Sequence, residues 1–367
     1  MLSSPTKFFL NVLFLFFSFA ILADAQTPTP TPQDDTERIF TEEIKLNVTA
    51  FDRDGRFVGD VKKEDLVIIE DGRLNQANSI RRIPANVLIV MDTGGELRAA
   101  KSFKQTVNTT KSLINALAAE DLVAIMQYHD KVEIIAEWTS KAEALKILDA
   151  KANFGKRSVF IKALETATKF LQKTPLENRH LVLITDGTDS FNNLTEREAA
   201  MKNLLATNIN VHVISYTSLE KAEITPKTKI LKGGEHKPQR LPEEVVIAMP
   251  KTIQDLMRQP RLGSINTDRE FIRKMKEREK SLVASEKYLA TLSADTNGEF
   301  ILPATKEEML EKTALVARFV DSNYVITYTP KRALKDSPTG EVRSIEVSSR
   351  RPDLQVVARR KLLVLQN

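Results

Sequence analysis

Three short runs of this chain are apolar at every position: residues 87–91 (VLIVM), 122–126 (LVAIM) and 181–184 (LVLI). A strand with no polar face is buried on both sides, and that happens in a parallel sheet covered by helices on both faces. Further strand-like runs lie at 132–136, 211–215 and 299–302. Helical patterns fall between them at 100–118, 141–150, 159–171, 196–206, 288–292 and 306–320. In the first helix Phe103, Val107, Leu113 and Leu117 are among the apolar positions. The alternation predicts an α/β fold with a doubly wound, mainly parallel sheet. In such sheets ligands bind outside the carboxyl ends of the strands.

The flanks read differently. In residues 39–85, Ile44, Leu46, Val48 and Ala50 alternate with Lys45, Asn47 and Thr49, and Asp54-Gly55 and Asp71-Gly72 are turn signals around a second strand at 66–69. A β segment of this size is thin for a core of its own. Residues 321–367 are again β, with runs at 324–329, 343–348 and 354–365. The two terminal segments are therefore expected to share one β-sandwich, with the α/β domain of residues 86–320 inserted in it.

At the N-terminus, Lys7 precedes a mostly apolar run from Phe8 to Leu22, closed by Ala23-Asp24-Ala25. That is the pattern of a secretory signal peptide over 1–25, and the run is short for a membrane span. The Thr-Pro repeat of 26–38 is an extended spacer. Exported, periplasmic, cell-envelope or secreted location is the expectation. With no cysteine in 367 residues, a disulfide scaffold, a thiolate zinc site and a cysteine nucleophile are all excluded. Net charge is +5, too mild and too diffuse for a nucleic-acid binder. Residues 219–280 carry fifteen Lys and Arg against ten Asp and Glu, an excess equal to that of the whole chain. This stretch, with Gly233-Gly234 inside it, reads as a basic insertion, partly helical over 270–287.

Asp92 follows the apolar run 87–91, and Asp186 follows the run 181–184 in the sequence Thr185-Asp186-Gly187. Ser158 opens the helix after Gly155-Lys156-Arg157. A doubly wound sheet brings these three positions to its carboxyl edge. Two carboxylates and a hydroxyl, completed by waters, suit a hard divalent cation. The other reading of the same residues is metal-free, with Asp92 and Asp186 capping turns or helices.

These residues resemble the von Willebrand factor type A (VWA) domain family, over residues 86–320 apart from the basic insertion. The family's metal-ion-dependent adhesion site has Asp-x-Ser-x-Ser after its first strand, a Thr at a helix start and an Asp after its fourth strand. The resemblance assigns Asp92, Ser158 and Asp186 to those places and implies Mg²⁺ or Mn²⁺ as the ion. Here the first motif reads Asp92-Thr93-Gly94-Gly95-Glu96, so Gly94 and Glu96 stand where two serines are expected. Glu96 is a candidate fourth metal ligand, and its charge would strengthen attraction for a cation while weakening the grip on a partner's carboxylate. More narrowly, residues 48–73 (VTAFDRDGRFVGDVKKEDLVIIEDGR), 324–330 (YVITYTP) and 345–359 (IEVSSRRPDLQVVAR) resemble the exported VWA-related proteins common in Acidobacteria.

No catalytic residue emerges. There is no Gly-x-Ser-x-Gly elbow, no phosphate-binding loop and no dinucleotide fingerprint after a strand. Asp92-Thr93-Gly94 matches half of an aspartic-protease pair in the wrong fold. His129, His180, His212 and His236 form no metal-ligand pair, and His212 and Trp138 read as packing residues. The chain is expected to be a binding protein and not an enzyme. It would act in protein–protein interaction or adhesion through a degenerate adhesion site, with an unidentified protein as partner, no nucleic acid, and a membrane only through an uncleaved signal segment. The alternative is a metal-independent structural or assembly protein of the envelope, using its VWA surface or the basic insertion.

Overall fold

The computed structural model describes residues 42–95, 103–191, 193–228, 250–251, 254 and 268–364. The signal-peptide and spacer positions, Glu96, Gly233-Gly234 and His236 lie outside the described residues.

The six-stranded sheet forms where the apolar runs foretell it. Strands β5 (Asn86–Asp92), β6 (Leu122–Tyr128), β8 (Arg179–Thr185), β9 (Asn210–Ser215) and β10 (Phe300–Ile301) are mutually parallel, and β7 (Val132–Thr139) closes one edge antiparallel to β6. The order is β10-β9-β8-β5-β6-β7. Every residue of β5 is buried. On one face Val87, Ile89 and Met91 pack with α1 (Phe103–Ala116) and α2 (Lys141–Lys151). On the other, Leu88 and Val90 pack with α3 (Phe160–Lys173) and α4 (Leu194–Leu205). Helix α5 (Thr217–Ile224) follows β9, and a long helix α6 (Arg269–Asp295) runs through position 280 without a break before β10. Helices α7 (Lys306–Glu311) and α8 (Thr313–Asp321) complete the domain. Among the described residues no helix is long and apolar enough to cross a membrane.

The terminal segments do form two antiparallel sheets that enclose a common core. One has β1 (Ile44–Phe51) between β13 (Gln355–Ala358) and β11 (Asn323–Tyr328), with β4 (Ala77–Arg81) on the far side of β11. The other has the order β14-β12-β2-β3, built from β14 (Lys361–Leu363), β12 (Val342–Ser349), β2 (Leu66–Glu70) and β3 (Arg73–Asn75). Leu46, Val48, Ile68, Ile326 and Ile345 meet in the core. β1 departs from simple alternation, because Asn47 and Thr49 are buried as well. Their face lies against the α/β domain. Asn47 Nδ2 donates to Asn210 Oδ1 (3.2 Å), Thr49 Oγ1 to Asn323 Oδ1 (3.0 Å), and Asn297 Nδ2 to the Asn47 carbonyl (3.2 Å). The donors of this polar face find acceptors within and across the seam, while the Asn47 and Asn297 Oδ1 atoms have no hydrogen-bond partner among the described residues.

Three buried ionisable groups are settled by their surroundings. Arg343 is fully buried in the sandwich, where it donates to Glu70 Oε1 (2.7 Å) and to the carbonyls of Arg332 (2.8 Å) and Ala333 (2.9 Å). At the base of the α/β sheet, the Glu299 N–H donates to His212 Nδ1 (3.1 Å), so the His212 proton sits on Nε2. That nitrogen is 3.0 Å from His180 Nδ1, and His180 Nε2 then donates to Asn178 Oδ1 (2.9 Å). This one-way chain needs both rings neutral. Burial drives the His212 pKa down to about 3 and that of His180 well below its usual value, with the neighbouring ring adding to the latter.

Two outcomes are expected. Glu70→Gln leaves the Arg343 charge buried without its counter-ion and costs about 3 kcal/mol or more, read as a shift in the urea midpoint. For the histidines, the folded pKa values lie below the unfolded value, so the unfolded state takes up protons first as pH falls. Stability from this pair is complete above about pH 6.5 and lost on acidification, at about 1.4 kcal/mol per imidazole by pH 5.5. Equal urea midpoints at pH 7.5 and 5.5 would contradict the neutral-pair assignment.

Candidate functional site

The carboxyl edge of the sheet gathers the expected residues. Met91 pairs with Ile184, so Asp92 and Thr185 end adjacent strands side by side, and Asp92 pairs with Tyr128 on its other flank. Asp92 is fully buried. Its Oδ1 accepts the Gly94 N–H (3.1 Å) and its Oδ2 accepts from Thr185 Oγ1 (3.4 Å). Thr185 Oγ1 also accepts the Gly187 N–H (2.7 Å) and lies 2.6 Å from the Tyr128 hydroxyl. Burial, and after it the negative charge of Asp92, holds the Tyr128 hydroxyl well above its ordinary pKa. It is neutral, and it serves as a donor.

Asp186 is 1% exposed. Its Oδ1 accepts from both the backbone N–H (2.9 Å) and the hydroxyl (2.6 Å) of Thr188, a local turn of the kind Asp favours. Its Oδ2 accepts from Arg278 Nη2 at 2.8 Å, and Arg278 Nη1 reaches Thr188 Oγ1 at 2.7 Å. Ser158 is also buried, and its hydroxyl donates to the Thr188 carbonyl (3.1 Å). Asp92 and Asp186 are thus linked through the Thr185-to-Gly187 turn, and Ser158 and Asp186 through Thr188.

Gly94 is required by close approach. A Cβ there would lie 1.7 Å from the Arg157 carbonyl oxygen and 2.7 Å from His129 Cα. The two loops are zipped together, Gly155 N–H to the Thr93 carbonyl (3.3 Å) and Gly95 N–H to the Lys156 carbonyl (3.1 Å). The space that a serine side chain would use is filled by backbone. Gly187 carries a positive φ of 67°, and a Cβ there would meet Ser285 Oγ at 2.4 Å. Helix α6 therefore lies directly over the turn that holds Asp186. Ser285 Oγ donates to the Asp186 carbonyl, and Glu286 accepts from Thr217 Oγ1 (2.6 Å) and pairs with Lys221 (2.8 Å).

The donor set does not fit a divalent cation as it stands. Both oxygens of Asp186 are engaged, one of them by a permanent cation, and the Ser158 hydroxyl is turned to a carbonyl. Among the described residues no group of three His, Asp or Glu side chains could hold a metal ion. Three residues at this edge escape sequence reasoning: Arg278, Tyr128 and Thr188. Thr188 could have been found from the Asp186-Gly187-Thr188 turn pattern. Nothing local marks Arg278, which lies 92 residues from its partner.

The loops bearing the site expose large apolar side chains. Phe154 is 71% exposed, Phe191 64% and Leu194 66%. The Arg157 guanidinium stands 5.7 Å from the Phe191 ring centre, and Phe154 lies against the Phe103 ring, at 5.9 Å between centres.

Restoring the family's serine is expected to harm the fold. Gly94→Ser must push the 155–158 loop away from the Thr93–Gly95 turn and costs about 2 kcal/mol, the middle of the range for overpacking. An unchanged melting midpoint would show that the loop closure is not real.

Residues 87–188 match the family model of the von Willebrand factor type A domain. No curated protein matches the chain. Solved structures of similar fold include an aerotolerance-related membrane protein from Bacteroides fragilis, with multiple mutations to serines (16% identity, 65% of this chain and 98% of that one, TM-score 0.37). A von Willebrand factor type A protein from Catenulispora acidiphila is 10% identical over 89% of this chain and 74% of that one, with a TM-score of 0.38. The manganese-loaded TRAP protein of Plasmodium vivax is 13% identical over 80% and 97%, with a TM-score of 0.35. The matched span begins in β5 and ends at Thr188, so it contains Asp92, Ser158 and Asp186 together with the strands that carry them, and the α/β domain has the fold of a von Willebrand factor type A domain.

Proposed function

We propose that this chain is an exported binding protein whose VWA domain contacts another protein through the carboxyl edge of its sheet, without catalysis. The observation that carries the reading is the exposure of Phe154 and Phe191 on the loops around the site and of Leu194 at the start of α4, with Arg157 beside Phe191. Exposed apolar groups clustered on loops mark interaction surfaces, and aromatic and Arg side chains are the usual anchors of such surfaces. The buried aspartates below them support binding over catalysis. Neither Asp92 nor Asp186 presents an oxygen to solvent where a substrate could meet it. They set the shape of the loops from beneath, and the rim makes the contact. Export rests on the signal-peptide pattern of residues 1–25. Mg²⁺ or Mn²⁺ is not needed for a contact made by the rim.

A photo-crosslinker placed at position 191 in the producing cell is expected to give a defined protein adduct. With that partner purified, Phe154→Ser and Phe191→Ser should each weaken binding about 30-fold, the effect of a strong anchor residue. Val357→Ser, an exposed apolar position on β13, should leave binding unchanged. Equal affinities for all three variants would remove the carboxyl-edge reading.

A further inference from the structure

We infer that Arg278 is the resident cation of this VWA domain: a guanidinium carried on α6 holds the electrostatic place that a divalent ion would otherwise take beside Asp186. Two independent observations lead there. The first is the bonding of Asp186, which is buried, charged and engaged on both oxygens. Arg278, Thr188 and Asp186 close a ring: Nη2 to Asp186 Oδ2 (2.8 Å), Nη1 to Thr188 Oγ1 (2.7 Å), and Thr188 Oγ1 to Asp186 Oδ1 (2.6 Å). A guanidinium is always charged, and its planar fork is matched to two oxygen acceptors side by side. The second observation is Gly94. The hydroxyl that would complete a metal shell there has been replaced by the Arg157 carbonyl oxygen of the closed loop.

The arginine is placed by its helix and does not depend on a flexible reach. Next to Arg278 and two turns beyond it, α6 is fastened to the 217–225 segment and to the Asp186 turn. Thr225 Oγ1 donates to Glu279 (2.5 Å), Ser285 donates to the Asp186 carbonyl, and Glu286 pairs with Lys221. Met275 and Leu282 lie against Ile224 and bury the face of α6 on either side of Arg278. A divalent ion entering at Asp186 would meet a fixed positive charge within contact distance of the same carboxylate. Buried charge tolerates one counter-ion here and repels a second. Cation-independence is thus built into the covalent chain, and the helix that begins within the basic stretch becomes part of the site. The inference concerns the charge beneath the edge and stands apart from which partner the rim contacts.

The test uses the full chain without its first 25 residues, with Mn²⁺ itself as probe. Electron paramagnetic resonance of free Mn²⁺ should show no uptake by the wild type, and its melting midpoint should be the same in EDTA and in several millimolar Mn²⁺. Arg278→Met should melt about 5 °C or more lower in EDTA, the scale of a buried pair broken in a protein of this size. Mn²⁺ should raise that midpoint, and the gain should vanish in Arg278→Met/Asp186→Asn. Arg278→Lys keeps the charge and should stay blind to Mn²⁺. Mn²⁺ uptake by the wild type that Asp186→Asn abolishes would overturn the inference. So would an Arg278→Met protein that melts like the wild type or is destabilised yet indifferent to Mn²⁺. If Arg278→Met does not fold, the wild-type titration and the lysine variant decide the question.

Discussion

The antiparallel pairing of β11 with β1 and β4 is the constraint on which the rest of this molecule depends. β11 joins Ile44–Thr49 over six register pairs on one side and Ala77–Arg81 on the other. β4 leads into the first strand of the α/β domain after four residues, and β11 begins one residue after its last helix. The chain therefore leaves the sandwich and returns to it on neighbouring strands. The excursion over residues 82–322 closes over one strand spacing, and a closure of that length is tolerated because its entropic cost grows only with the logarithm of length. Neither terminal β segment has a core alone. Leu46 and Val48 from one end meet Tyr324, Ile326 and Ile345 from the other, so the core of the sandwich needs both ends of the chain.

That dependence explains the polar seam between the two parts. Asn47, Thr49, Asn210, Asn297 and Asn323 are all buried and bonded to one another. Arg359, buried behind β13, donates to the carbonyls of Leu205 and Thr207 just past the end of α4, where a cation also meets the negative end of the helix dipole. Apolar packing would have joined the parts in many orientations. Directional bonds between five side chains admit one. The sandwich is in this sense a rigid mount, and the carboxyl edge, at the opposite end of the sheet, points away from it.

Much of this architecture was legible in the chain. The runs at 87–91, 122–126 and 181–184 have no polar face, and no other placement than the middle of a parallel sheet accommodates them. Asp92 follows the first of those runs directly and Asp186 follows the third after Thr185, and the parallel pairing of β5 with β8 puts them on one edge. What the residues next to them would do was not legible, for physical reasons. Gly94 could be read as a missing hydroxyl, but not as a residue forced by the Arg157 carbonyl, since that contact joins loops 63 residues apart. The burial of Asn47 and Thr49 was hidden for a like reason. Alternation reports which face of a strand is apolar, and a polar face covered by a matching polar surface looks the same as one covered by water. Arg278 sat in a stretch that read as a basic insertion. Composition identifies an excess of positive charge and cannot say which single guanidinium is turned inward.

The inward arginine also bears on why the edge keeps two aspartates after losing two serines. A buried carboxylate with no counter-charge is expensive, and a protein that no longer binds a cation there would be expected to lose its acids as well. Here each aspartate has acquired a structural task. Asp92 fixes the Gly94 turn and the Thr185–Tyr128 pair, while Asp186 fixes the Thr188 turn and the first half of α6. Removing either would release the loops that carry Phe154 and Phe191. The acids thus have a structural task without a cation, and on the proposed reading a surface held from below by internal bonds would meet a partner with little ordering left to do.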